Sequence, residues 1–426
     1  MTAATGLYFS LNDMDAQVAN VMLAGTDPAL AGDRPQYLAT YASDRQAAYA
    51  DLQQAAVTAA GNAAAQRQLQ SVLVNVGTYE ALAADALLVD QQQATAGTTA
   101  TGTTPGGTAS GTPGQAVGYY RQATDLMRTA ILPHVASLAT VSSGKLDDSY
   151  AAGRSDATAG AVIALVVGVL LAALLVAFQV FLSRRFRRIV NPALAAATVV
   201  ALALAIVTAG RLDAEASHLT VAKPEAFDSI VALSQARAVS YAANADESRY
   251  LADPGRAAAY QQSFIAESQE VASAGNVPLA RYEPALAADL AAYQANNADV
   301  RFGGYLGAEF RNITFPGERA AAVATLKAYL FYEQDDHQLR QLASTNPRAA
   351  AEFDTSIAPG QSDWAFSQYD KALVALIGIN QRAFTAAVQA GQGSATGWNG
   401  LIPGGCALLI IALVVLGARP RLAEYR

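Results

Sequence analysis

Residues 161–182 read AVIALVVGVLLAALLVAFQVFL, and residues 183–188 read SRRFRR. The whole stretch 157–183 carries no charge and is long enough to cross about 30 Å of hydrocarbon as a helix. A second uncharged run, IVNPALAAATVVALALAIVTAG at 189–210, follows at once. A third, LIPGGCALLIIALVVLG at 401–417, leads into Arg419, Arg421 and Arg426. Clustered basic residues beside a span stay in the cytoplasm. The loop holding Arg184, Arg185, Arg187 and Arg188 is therefore expected inside, with the tail 419–426. Residues 1–156 and 211–400 are then expected outside, and 401–418 is the last span. The chain reads as a multi-pass protein of the plasma membrane with both large domains extracytoplasmic.

Residues 1–30 contain no basic start and no apolar stretch of the signal-peptide kind. A tail of that length is rarely exported without such a signal, so a further membrane span is expected before residue 1, the alternative being that Met1 is the true start and the tail crosses unaided. With it the chain becomes two span–ectodomain–span units joined by the Arg loop, in the manner of a duplication.

Composition narrows the function. The chain has 426 residues, of which 52% are hydrophobic and 15% charged, an unusual balance for a soluble protein. A net charge of −7 argues against nucleic acid, whose phosphates need clustered Lys and Arg. With Cys406 the only cysteine, internal disulfides, thiolate metal sites and Cys–His nucleophiles are excluded. No phosphate-binding glycine loop, nucleophile elbow or supported pair of catalytic acids occurs, so neither enzymatic activity nor a cofactor is expected. The spans hold no Asp, Glu, Lys or Arg, which argues against ion-coupled transport by this chain alone.

Alanine and other good helix formers dominate, and no stretch alternates with period two. The fold expected is an all-α membrane protein: two extracytoplasmic up-down four-helix bundles whose terminal helices continue into transmembrane helices. In the first bundle (1–156), helix one ends at Thr26, Asp27 and Pro28. Helices follow over about 34–60 and 62–94, then a Thr/Gly/Pro tract (95–114) expected to be disordered, then a helix running into the span. In the second (211–400), helix one runs to about 252 and breaks at Asp253, Pro254 and Gly255. Helix two covers 256–302 with an interruption near 275–278. Residues 303–319 and 346–360 are read as connections, helix three as 318–344, and helix four as starting at Ser362 or Asp363.

Few polar residues stand out. Glu333, Asp336 and His337 share a helix face that can be read as a partial metal site, but two or three ligands in one turn are better explained by solvation. Asn12, Asp13 and Asp15 on helix one of the first half, and Asn244, Asp246, Glu247 and Arg249 on helix one of the second, are solvated or paired with a neighbouring Arg, or else line a small-ligand pocket, with an interdomain contact as a further reading for Asp246 and Arg249. Tyr37, Tyr41 and Tyr49, and Tyr329, Tyr332, Trp364 and Tyr369, are expected in the cores. In FRNITFPGER (310–319), Phe310 and Phe315 are apolar within a polar stretch, and Arg311, Glu318 and Arg319 are placed to pair locally, in a loop expected beside the membrane and packed against the other ectodomain.

A helical bundle with both ends in the bilayer resembles the sensing ectodomains of bacterial chemoreceptors and histidine kinases. Tandem bundles, a minimal cytoplasmic side and an Ala-rich composition, with the segments NADESRYL (244–251) and FRNITFPGER, resemble the actinobacterial GlnX-type membrane proteins. That resemblance implies a sensor or adaptor that relays extracytoplasmic amino-acid state from a solute-binding lipoprotein to a soluble cytoplasmic serine/threonine kinase of the PknG type. It implies docking of the lipoprotein at the tips (Thr26–Pro28, Asp253–Gly255 and 346–360) and of the kinase at Arg184, Arg185, Arg187 and Arg188. For those arginines topology alone is the simpler explanation. Two alternatives stand beside it: a non-signalling scaffold of a transporter or envelope complex, and a receptor that binds a small molecule directly. A homo-oligomer is compatible with each.

Overall fold

The computed structural model describes residues 3–26, 30, 32–99, 114–186, 191–395 and 401–423. Every regular element among them is helical. Asp27 and Pro28, Arg187 and Arg188, and residues 100–113 of the Thr/Gly tract lie outside the described residues.

The first half holds α1 (Ala3–Thr26), α2 (Arg34–Thr58), α3 (Ala63–Thr99) and α4 (Gln115–Leu126). A π-helical turn, Met127–Ile131, leads from α4 into the long α5 (Leu132–Phe186). α6 (Pro192–Thr220) passes through a second π turn, Val221–Phe227, into α7 (Asp228–Ala252). Both π turns accompany a proline. Pro133 lacks the N–H that would bond back to Thr129, and Pro224 lies inside its turn, so the helix widens where a bond is lost. The second half continues with α8 (Ala257–Val271), α9 (Leu279–Ala295), α10 (Gly304–Asn312), α11 (Glu318–Thr345), α12 (Pro347–Thr355), α13 (Ser362–Ala395) and finally α14 (Leu401–Ala423).

Two stretches read as connections are helical. α10 occupies most of 303–319, and α12 occupies most of 346–360. α12 starts where Asn346 accepts from the Ala349 N–H and Pro347 supplies a first-turn residue with no N–H to satisfy. Gly304, at φ +70°, turns the chain into α10. A Cβ there would lie 2.6 Å from the Glu270 carbonyl oxygen, so only glycine fits.

The chain folds as two compact units, residues Met1–Gly144 with Asp228–Asn380, and residues Lys145–Phe227 with Gln381–Arg426. The halves read from the sequence as separate bundles thus share the first unit, each with its own core. Leu7, Leu11, Tyr79, Tyr120 and Ile131 centre one. Phe264, Tyr282, Phe302, Tyr329 and Tyr369 centre the other. Tyr37 joins the halves directly: its hydroxyl donates to the Thr355 carbonyl at 2.7 Å.

The second unit is the apolar one. Leu175, Leu182, Leu194, Ala197, Ala201 and Ile410 pack between its helices, while Val166, Leu170, Leu174, Ile206, Leu408 and Ile411 are exposed, as lipid-facing residues are. Asn191 caps α6 through the Ala193 N–H and donates to the Gly417 carbonyl at 2.7 Å, tying α14 to α6. Gly168 lets α5 approach α6, since a Cβ there would overlap the Ala205 side chain. Gly168→Leu is therefore expected to lower the stability of the detergent-solubilised protein by about 1–3 kcal/mol, read as a lower melting temperature. An unchanged melting temperature would mean the two helices do not meet there.

Among the described residues four helical segments are long and apolar enough to cross a membrane: Ala63–Gln92, Asp147–Arg184, Pro192–Ala252 and Leu401–Arg419. The first has the lowest hydropathy, 1.5 against 3.1, 2.3 and 2.6. It also carries Glu80, Asp85 and Asp90, and buries Val72, Tyr79 and Ala83 in the first unit's core. Asp90 is itself buried and paired with Arg34 at 2.5 Å. Those charges and that packing are what a bundle helix needs and a span avoids.

Candidate functional site

At the seam between the two halves, α1, α4 and α5 meet α7 and α8 through a set of buried ions. Arg249, on α7, is 1% exposed. It donates from Nε and Nη2 to Asp15 Oδ2 on α1, at 3.0 and 2.5 Å, and from Nη1 to Asp246 Oδ1 at 2.5 Å. Thr124, on α4, donates to the same Asp15 carboxylate at 3.1 Å. Asp15 and Asp246 are completely buried. A buried guanidinium held by two carboxylates, one of them also accepting from a hydroxyl, is satisfied only while both halves stay together.

Arg128 enters the same site from the π turn after α4. It donates to Asp246 Oδ1 at 3.3 Å and to Ser263 Oγ, and stands 3.9 Å from Glu267. Further ion pairs cross the seam. Arg121 binds Asp253 through two donors, one at 2.6 Å, and Arg256 binds Asp125 at 2.8 Å. Arg237 pairs with Asp370 and lies over the Phe9 ring at 4.3 Å, and Phe9 in turn packs edge-on against Tyr241.

A cavity of about 230 Å³ opens on this network, lined by Tyr8, Asn12, Arg128, Arg249 and Glu267 among others. A second, of about 250 Å³, shares Tyr8 and Ala136 with it and adds Gln235, Glu270 and Tyr305. Burial, with the nearby Asp246 charge, pushes the Glu267 carboxyl well above the usual carboxylate range. Burial followed by the charges of Glu267 and Glu270 raises the Tyr8 hydroxyl.

Beside the seam the second half buries an acidic cluster. Glu247 (α7), Glu333 and Asp336 (α11) and Asp354 (α12) are buried near one guanidinium, Arg340, which pairs with Asp336 at 2.6 Å and lies over the Tyr250 and Phe264 rings. Glu247 Oε2 accepts from Tyr332 and Asn244 at 2.9 and 3.3 Å. Burial is the first cause of every shift. It pushes Glu333 up to about 8 and Asp354 up to about 7, and raises Glu247 and Asp336 as well. The expectation that Glu333 and Asp336 lie on a solvated face is overturned: both are buried, and only His337 of that trio is exposed. The reason is position on the helix, because Tyr329, Tyr332 and Leu339 bury the same side of α11. Among the described residues no group of three or more His, Cys, Asp or Glu has the geometry to hold a metal ion.

The residues singled out from sequence fall in different places. Asp246 and Arg249 stand at the centre of the seam. Asp253 is 1% exposed and turned inward on Arg121, whereas Pro254 and Gly255 are exposed. Thr26 ends α1. Arg184 is exposed near the end of α5, and Arg185 lies in that helix. Phe310 is in the second core, edge-on to Tyr293 and Phe302. Exposed Arg311 donates to the Phe302 carbonyl at 2.7 Å, and Phe315 is half-buried. Glu318 does not pair with an arginine; its Oε2 accepts from the Thr314 and Phe315 N–H groups at 2.7 and 2.8 Å and so caps the loop before α11. Sequence reasoning missed Arg128 and Glu267. Pro133 inside a helical pattern and a Glu267–Glu270 pair on one face of α8 were the available signals.

An all-helical polar unit from which α5 and α6–α7 run on into apolar segments is the arrangement of a membrane protein. Residues 1–151 match the family model of the actinobacterial sensor domain. No curated protein and no solved structure matches the chain.

Proposed function

We propose that this chain is a non-catalytic sensor or adaptor of the plasma membrane, with the first unit extracytoplasmic and the Arg-flanked ends of the apolar helices in the cytoplasm. The observation that carries this reading is the helix that runs from α6 into α7. Its α6 part is apolar, and its α7 part carries Asp246 and Arg249 into the charge seam. Whatever biases the seam acts on a helix that is also a span, and relays of this kind work by biasing a two-state element. The match of residues 1–151 to a sensor domain supports the same reading.

In the full proposal the signal is amino-acid state. A solute-binding lipoprotein delivers it on the outside, and a separate serine/threonine kinase receives it on the inside. A second reading, direct binding of a small molecule, is favoured by the two adjoining cavities at the seam. In-cell crosslinking of the full-length protein, read by mass spectrometry, tests the relay. Recovery of a solute-binding lipoprotein together with a soluble kinase is expected. Recovery of transporter subunits alone would replace the relay with the scaffold alternative.

A further inference from the structure

The two seam cavities are built from hydrogen-bond acceptors in excess. Asn12 lines the first, is 1% exposed, and uses its Nδ2 to donate to the Tyr8 carbonyl at 2.9 Å. Its Oδ1 takes no hydrogen bond among the described residues. Glu267 Oε1 accepts from Ser263 at 3.3 Å, but its Oε2 takes none. A buried acceptor without a donor is costly, so two of them on residues that line one cavity point to a ligand that brings N–H groups. The cations nearby are already engaged: Arg249 by Asp15 and Asp246, Arg128 by Asp246 and Ser263. The adjoining cavity adds another carboxylate, Glu270, beside Tyr8 and Tyr305. An anion would meet two carboxylates and no uncommitted cation. A cation would meet carboxylates, an amide oxygen and aromatic rings, the chemistry that holds ammonium groups.

From this geometry we infer that the seam cavities form a binding site for a small molecule bearing a primary ammonium group. The ammonium donates to Asn12 Oδ1 and Glu267 Oε2, and the rest of the ligand extends past Tyr8 toward Glu270. Each cavity has the volume of several water molecules, and together they fall among ordinary small-ligand sites, which suits a molecule of amino-acid or diamine size. The site joins α1 and the π turn of one half to α7 and α8 of the other, so occupancy bears on the seam itself. The π turn has a role here, since it sets Arg128 at the cavity wall, and such turns recur at functional sites.

The inference deepens the direct-binding reading and rests on it. The test is calorimetric titration of the purified full-length chain with putrescine, L-lysine, L-glutamine and, as the anionic control, glutarate. Two variants accompany the wild type. Ala136→Trp fills the shared mouth from an exposed position, and Glu267→Gln removes, at constant size, the carboxyl that would ionise against a bound ammonium. Binding of an ammonium-bearing probe, weakened at least tenfold in both variants at unchanged melting temperature, is the expected result. Lysine or glutamine without putrescine identifies an amino acid, and putrescine without them a plain amine. Equal affinity in wild type and variants would remove the site and leave direct sensing standing elsewhere in the chain. Binding of glutarate alone would overturn the ligand class. Binding of no probe, with crosslinking that recovers the lipoprotein, would overturn both the site and the direct-binding reading.

Discussion

Replacing Arg249 by alanine is expected to destabilise the first unit by roughly 3–5 kcal/mol. The substitution leaves Asp15 and Asp246, both fully buried, without the cation that offsets their charge. Arg249→Lys keeps the charge but cannot reach both carboxylates with a planar fork, and should fall between alanine and wild type. The measurement is thermal unfolding of the detergent-solubilised full chain followed by Trp364 fluorescence, with Trp398→Phe as background. Trp364 packs against Phe331 on α11 and so reports on the second core. If Arg249→Ala melts with the wild type, the seam is not what joins the halves.

The second large effect is a fall in stability as pH rises. Glu333 at about 8, Asp354 at about 7, Asp44 at about 8 and Glu309 at about 7 all stand above the ordinary carboxylate range. For each, burial is the first cause. Asp13 adds its charge to Asp44, and Glu318 adds its charge to Glu309. The folded chain therefore holds protons that the unfolded chain releases near pH 4. With more protons bound in the folded state, unfolding free energy decreases with pH. The contribution is complete below about pH 4 and is lost as pH rises through about 7 and 8. The melting temperature is expected to drop on the order of 10 °C between pH 5.5 and pH 8.5. Glu333→Gln, which fixes one group neutral, should flatten that dependence. A melting temperature that climbs over this range would mean the carboxyls are ionised in the fold.

The readable parts of the fold were those written in local chemistry. Uncharged runs flanked by arginine marked three apolar segments, and the Asp253–Gly255 break and the Ser362 start mark the ends of α7 and α13. α12 is equally local, with Asn346 and Pro347 at its start, but a nine-residue helix opening on a proline and followed by Pro359 looks like a connection. α10 was harder to read, since it opens on a Gly-Gly pair and only the contact with Glu270 explains the need for Gly304. The joining of the halves was not legible. Asp15 and Arg249 lie far apart in sequence, and a charged pair on two amphipathic helices looks the same whether water or another helix covers it. The acidic cluster was half-legible: Glu333 and Asp336 follow the helical spacing of Tyr329 and Tyr332, and that apolar company was a sign of burial. The cavities escaped because they depend on Arg128, whose direction is set by a π turn that periodicity does not reveal.

A double-mutant cycle on Asp15→Asn and Arg249→Met, read by the same Trp364 melts, tests the central claim most directly. If residues 1–144 and 228–380 form one unit locked by this pair, the two losses fall short of additivity by at least about 1.5 kcal/mol, as expected for buried partners in contact. Simple addition of the two effects would contradict the seam, and with it the proposal that the seam biases the helix running from α6 into α7.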